Sequence, residues 1–175
     1  GDGGAIFTND DGLKDILLSL RMHGQGEDRY EHVRVGTNSR LDTIQAAILI
    51  EKLKIFEDEI GKRNAVARRY NDAFARSNSI KTPQVIAGAT STWAQYTLQV
   101  EDRAKFQAAL KAAGVPTAVY YPIPLSKQKA YAHFPSVPTP VSEALSGAVV
   151  SLPMHPYLDT ASQDRISGAV LESAG

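Results

Sequence analysis

Apolar positions change their spacing several times along the chain, and each change predicts an element. Leu13, Ile16, Leu17 and Leu20 follow the i, i+3, i+4, i+7 spacing of a helix with one buried stripe, with Asn9 or Asp10 placed to cap it and Gly24 to stop it. Ahead of it, Ala5-Ile6-Phe7-Thr8 reads as a strand entered from a glycine-rich turn, Gly1-Asp2-Gly3-Gly4. Residues 23 to 40 are polar and punctuated by Gly24, Gly26 and Gly36, which predicts an irregular surface segment. Loops of that length are uncommon unless they carry a function.

Helical spacing returns from Asp42 to about Phe74, through Ile44, Ile48, Leu49, Leu53, Phe56 and Ile60. The apolar density predicts first turns buried nearly all round and last turns half solvated, with Gly61 as the place for a break. A helix of that length exceeds one small core, so it is expected to link two domains, residues 1–60 and residues 61–175.

Beyond Ser77 strands and helices alternate. Ser91 to Val100 reads as a strand through Trp93, Tyr96 and Leu98, Arg103 to Ala113 as a helix ended by Gly114, and Thr117 to Tyr121 as a short strand. Pro122 to Pro140 is expected to be extended or turned, with room for a short helix at Ser126 to Tyr131. A helix from Pro140 to Gly147, a strand from Val149 to Leu152 and a helix from Thr160 to Glu172 complete an α+β layer.

Composition narrows the function classes. With 43% hydrophobic residues among 175, the chain is an ordinary globular protein, and 19 basic residues balance 19 acidic ones. No global field attracts nucleic acid or an anionic membrane, so neither is expected as a partner. The absence of cysteine excludes disulfides, thiolate zinc sites and a cysteine nucleophile. No apolar run reaches the roughly 18 residues of a spanning helix and no basic-then-apolar leader opens the chain, which leaves the cytoplasm as the expected compartment. A strand reached within four residues of a non-methionine start leads to the expectation that this chain belongs to a longer one.

Candidate chemistry is sparse. The histidines lie 9, 101 and 22 residues apart, without the close pairing of metal sites. No serine has a nucleophile-elbow context. His23 and His32 fall in the irregular segment and can reach a ligand or simply be solvated. Asn38 and Arg40 precede the long helix, where an amide donor and a guanidinium can hold a phosphate or carboxylate, or serve only as a cap and a solvated charge. Spacing alone leaves those two readings balanced. Tyr120-Tyr121-Pro122-Ile123-Pro124 sets two phenols and two rigid turns at a strand end, either a ligand-facing wall or aromatic packing. Ser151-Leu152-Pro153-Met154-His155-Pro156 reads as a strand entering a rigid turn.

Three blocks together carry a resemblance: Gly1-Asp2-Gly3-Gly4 with Ile6 and Thr8; Arg21-x-His23-Gly24 through Tyr30-x-His32 and Gly36-x-Asn38-x-Arg40-Leu41 to Ile44-Gln45-Ala46-Ala47; and Ser151 to Pro156. They resemble successive signatures of the DegT/StrS-type sugar-nucleotide aminotransferases and cover essentially the whole chain. Tyr120 to Leu125 is similar to the version found in enzymes that aminate a 3-keto uronic acid carried on UDP. Tyr120 and Ser126 stand where many members have histidine, so contacts through those imidazoles do not carry over.

The resemblance implies the end of a fold type I transferase α/β large domain joined by the long helix to a small α+β carboxy-terminal domain. It also implies pyridoxal 5'-phosphate as cofactor, a homodimer with shared active sites, a keto sugar nucleotide as acceptor and glutamate as amino donor. Asn38 is then expected at the partner subunit's cofactor phosphate, with Arg40, Tyr120, Tyr121 and His23 at the substrate. The Schiff-base lysine is expected just upstream of Gly1, leaving no catalytic residue in this chain. Lys14, Lys52, Lys54, Lys62, Lys127 and Lys129 sit on charged helices or in a polar turn, poor settings for a lowered amine pKa. Two other readings stand beside this one: a sugar dehydratase of the same fold, with histidine in place of the lysine, and a non-catalytic dimerisation or interaction domain.

Overall fold

A computed structural model describes residues 3 to 174, so the first half of the Gly1-Asp2-Gly3-Gly4 turn lies outside the described residues. The chain divides into two compact units, Gly1–Ile55 and Phe56–Gly175.

In the first unit, helix α1 (Asp11–Arg21) starts where Asp10 accepts the Leu13 amide at 3.0 Å and ends where the amides of Met22 and Gly24 close on the Ser19 carbonyl. The expected strand at Ala5 to Thr8 does not form. No neighbouring strand among the described residues offers it a ladder, and Phe7 is 93% exposed.

Helix α2 (Thr43–Phe74) runs through Gly61 without interruption. A helical glycine costs only about 1 kcal/mol relative to alanine, too little to break a helix of 32 residues. Its first turns are not buried as expected: Ile44, Ile48 and Leu53 are exposed, because nothing among the described residues covers them. Burial begins late in the helix, at Glu59, Val66, Ala67, Tyr70 and Phe74.

The second unit is built on an antiparallel sheet in the order β1 (Ile80–Lys81), β2 (Tyr96–Val100), β3 (Val149–Leu152), registered by Tyr96 opposite Leu152 and Leu98 opposite Val150. Helices α3 (Arg103–Ala112) and α5 (Thr160–Ala174) pack on each other, and α4 (Pro140–Ala148) leads directly into β3. Tyr70, Phe74, Tyr96, Leu98, Leu110, Val150 and Val170 form the fully buried centre. The Tyr70 ring lies 4.9 Å from Tyr96 and 5.8 Å from Phe74. Their buried hydroxyls are satisfied, Tyr70 donating to the Pro153 carbonyl at 3.0 Å and Tyr96 to Asn71 at 2.6 Å. Burial also pushes both phenols' pKa upward, so they remain neutral donors.

Three expectations for this unit need correction. β2 starts at Tyr96 rather than Ser91 because Arg63 and Asn64 on α2 hold the preceding residues in a turn. Asn64 donates to the Ser91 carbonyl at 3.0 Å, Arg63 donates to that of Trp93 at 2.9 Å, and Trp93 takes a φ of 49°. Thr117 to Tyr121 pairs with β3 only at Ala118. The short helix at Ser126 to Tyr131 is instead two 3-10 turns, Leu125–Lys127 and Lys129–Tyr131, the usual form of a helical piece this short.

Candidate functional site

The segment after α1 is folded tightly back on its own helix. His23 and Gly24 take left-handed φ values of 63° and 78°, turning the chain so that Thr37 donates to Leu20, Ser39 to Arg21 and Val33 to Gly24 at 2.9 to 3.1 Å. Two glycines make this possible. A Cβ on Gly24 would lie 1.8 Å from the Arg34 carbonyl oxygen, and one on Gly36 would lie 2.2 Å from the Gly24 nitrogen. The Ser19 hydroxyl donates to the Gln25 carbonyl at 2.7 Å and accepts from Arg34 at 3.1 Å, closing the same turn with side chains.

Met22 and Asn38 pair across this fold, which fixes the backbone that carries Asn38 and Arg40. The Asn38 carboxamide is exposed and makes no hydrogen bond to the described residues. It does not cap α2, whose first residue is Thr43 and whose first turn is closed by Ala46 donating to the Asp42 carbonyl at 2.9 Å. The Ser39 hydroxyl is engaged with Thr37 at 2.5 Å. Arg40 is exposed, and its recorded contact is a weak one to the Met22 sulfur at 3.8 Å. His23 presents an exposed imidazole at the turn itself. A free amide donor and a largely unpaired guanidinium on a hydrogen-bonded backbone suit an anion with several acceptor oxygens.

In the second unit, β3 extends the sheet to one more residue. Ala118 and Ser151 exchange both backbone hydrogen bonds, at 3.2 and 2.7 Å, while the Gln107 amide of α3 donates to the Thr117 hydroxyl at 3.1 Å. From these tethers Tyr120 and Tyr121 project outward, 44% and 72% exposed, with rings edge to face at 5.6 Å. They are therefore not core packing. Tyr120 borders two hollows: one of about 560 Å³ beside Tyr121, Ile123, Gln128 and Ser146, and one of about 300 Å³ beside Gln95, Thr117, Pro153 and Met154. Gln95 and Gln128 carried no signal in the sequence, since a lone polar residue near a turn resembles any solvated one, whereas Met154 stands in the Ser151 to Pro156 block.

The lysines occupy ion-paired or exposed positions. Lys14 meets Asp11 at 3.3 Å, Lys54 meets Glu51 at 2.6 Å and Lys127 meets Glu143 at 3.4 Å. Lys62 donates to Asp58, which raises its pKa, the opposite of what an imine-forming amine needs. Among the described residues no three His, Cys, Asp or Glu side chains gather as a metal site, and no helix is long and apolar enough to cross a membrane.

The sequence matches the DegT/DnrJ/EryC1/StrS aminotransferase family over residues 1–171. It is 54% identical to the UDP-2-acetamido-2-deoxy-3-oxo-D-glucuronate aminotransferase of Pseudomonas aeruginosa, over 97% of this chain and 46% of that protein. It is 38% identical to the dTDP-3-amino-3,6-dideoxy-alpha-D-galactopyranose transaminase of Aneurinibacillus thermoaerophilus, over 96% of this chain and 46% of that protein. A DegT DnrJ EryC1 StrS aminotransferase crystal structure from Brucella abortus superimposes with a TM-score of 0.89 at 50% identity, covering 97% of this chain and 45% of that one. The chain thus spans about 46% of the length of the curated relatives it matches.

Proposed function

This chain belongs to the DegT/DnrJ/EryC1/StrS aminotransferase family, and from that premise we propose that it forms the carboxy-terminal part of an enzyme that moves an amino group, from glutamate, onto a keto sugar nucleotide used for cell-surface polysaccharide or glycan precursors. A 3-keto uronic acid on UDP is the acceptor class we favour. The Tyr120 to Leu125 block and the name of the Pseudomonas aeruginosa relative both support it. The observation that carries the reading is the Asn38 carboxamide, carried on a backbone bridge flanked by the Thr37 and Ser39 amide hydrogen bonds and left without a partner among the described residues.

Enzymes of this family depend in general on pyridoxal phosphate, which supplies an electron sink and carries the amino group between donor and acceptor. The residues present fit such a group at its phosphate end, where Asn38 has N–H bonds to donate to a dianion. In a homodimer with shared sites, Asn38 would hold the phosphate in the partner subunit's site and Arg40 would take an anionic part of the sugar nucleotide. Tyr120 and Tyr121 would face the sugar, with His23 at the same substrate. Fixed donors matter here because a bound geometry set before the reaction removes an entropic cost from the chemical step.

The test compares this chain with a version extended upstream to the length of its relatives, each mixed with pyridoxal phosphate. The extended protein is expected to develop an imine absorbance that this chain lacks, and to aminate a UDP-linked 3-keto uronic acid with glutamate. No amination of any keto sugar nucleotide, with or without the imine, would end the proposal; dehydration without an imine would identify the dehydratase chemistry.

Asn38→Ala and Arg40→Ala in the extended protein are each expected to weaken cofactor or substrate binding by about 1 to 3 kcal/mol, the scale for losing a charge-assisted hydrogen bond. Equilibrium titration with pyridoxal phosphate and with the sugar nucleotide reads this out. Unchanged affinities in both variants would return the pair to solvated surface residues.

A further inference from the structure

The two tyrosines proposed to face the sugar sit on a segment with almost no secondary structure of its own. Between Gly114 and the proline-rich stretch, pairing to the sheet is confined to the single Ala118–Ser151 bridge. A bridge of one residue pair fixes a point but leaves the chain free to rotate about it. A second point is supplied one residue away, where Gln107 of α3 donates from Nε2 to the Thr117 hydroxyl at 3.1 Å.

Both partners are half-buried, so the bond competes less with water than a surface contact does. Gln107 also stands one residue from the buried Phe106 on α3, whose Leu110 is wholly buried, so the helix end of the tether is anchored in the core. Ser151 is anchored in turn: it is 4% exposed and its hydroxyl meets Thr97 of β2 at 2.8 Å. Two points, one on the sheet and one on α3, define the direction in which Tyr120 and Tyr121 leave the domain.

We propose that Gln107 is a positioning residue, acting through Thr117 to set the reach of Tyr120 and Tyr121 into the acceptor sugar's site. This rests on the reading that those tyrosines touch the sugar. Gln107 touches neither substrate nor cofactor, and its loss leaves the core intact. Its influence is confined to the half-reaction in which the keto sugar is bound. The amino-donor half-reaction, in which no keto sugar is bound, is its internal control.

The experiment measures both half-reactions of the extended, cofactor-loaded protein in Gln107→Leu, Gln107→Glu, Thr117→Val and Tyr121→Ala. Gln107→Leu keeps the size and loses the donor, and Thr117→Val loses the acceptor. Each is expected to raise KM for the keto sugar nucleotide by about tenfold, the fold-change equivalent of one hydrogen bond, with the glutamate half-reaction and thermal midpoint unchanged. Gln107→Glu is expected to behave like the parent, because its carboxylate can accept from the Thr117 hydroxyl, and Arg103 and Lys111 one turn to either side favour the added charge.

Equal losses in both half-reactions, no change in KM, or a Gln107→Glu protein as impaired as Gln107→Leu would overturn the assignment. Tyr121→Ala separates the two layers of the argument. If it raises KM while the Gln107 and Thr117 variants do not, the tether alone is wrong; if it leaves KM unchanged, the sugar-facing role fails and the tether with it.

Discussion

Gly24→Ala is expected to detach residues 33 to 39 from helix α1. An alanine Cβ would lie 1.8 Å from the Arg34 carbonyl oxygen and 2.5 Å from its carbon, both backbone atoms that no rotamer change can move. The left-handed φ of 78° adds strain of about 1 to 2 kcal/mol for any residue with a side chain. With overpacking of 1 to 3 kcal/mol or more, the total is roughly 3 kcal/mol. Helix α1 has no buried residue, so no core resists the separation. The amides of Val33 and Thr37, which donate to Gly24 and Leu20, are then expected to exchange hydrogen as fast as solvent-exposed ones. Gly88→Ala is the control, since Gly88 has a similar φ of 79° but open space where its Cβ would go. Retained protection of Val33 and Thr37 in Gly24→Ala would mean that glycine packing is not what holds the segment.

Phe74→Ala is expected to carry the largest stability loss in the second unit, about 3 to 5 kcal/mol, as for other phenylalanines removed from a packed core. Phe74 is 1% exposed, stacks on Tyr70 at 5.8 Å and, at the last residue of α2, belongs to the same buried cluster as the sheet residues Tyr96 and Leu98. Removing it strips apolar contact from Tyr70, whose hydroxyl holds the Pro153 carbonyl, so the loss reaches the turn beside Tyr120. Denaturant unfolding measures it, with Phe7→Ala as the reference: Phe7 is almost fully exposed and its loss is expected to stay within about 0.5 kcal/mol. A Phe74→Ala cost below 1 kcal/mol would indicate a core that collapses to fill the space.

Where capping and local strand preference decide an element, the sequence was a good guide: the cap at Asp10, the stop at Gly24 and the strand at Val149 to Leu152 all stand where pattern places them. Helix α1 forms as its spacing predicts, but the stripe expected to be buried is not, with Leu13 and Ile16 exposed. The fold class and family were legible for a different reason: three spaced blocks resembled one family, and the match over residues 1–171 agrees. Pattern failed where hydrophobic residues lack a cover. Ile44, Ile48 and Leu53 read as buried because side-chain chemistry says nothing about whether a neighbour is present. It failed again at Ser91 to Gln95, where Arg63 and Asn64, roughly thirty residues away, override local strand preference. β1 is two residues long, below the length at which alternation can be read.

The candidate residues show the same division. Asn38 could be singled out because of its place before a helix, yet spacing could not separate a cap from a free donor. The four residues between Asn38 and the helix start settle that point, since a cap must adjoin the first turn. Gln107 could not be found at all, because its importance lies in one bond to a residue on another element.

The packing around residue 93 also makes the protein its own optical probe. The chain has a single tryptophan, nearly enclosed, with its indole N–H held by Asn64 at 3.0 Å and its ring 5.6 Å from Tyr96. Excited at the red edge of the absorption band, where tyrosine is transparent, the native state emits from one well-defined place. Indole fluorescence of this chain therefore reports the environment of the second unit.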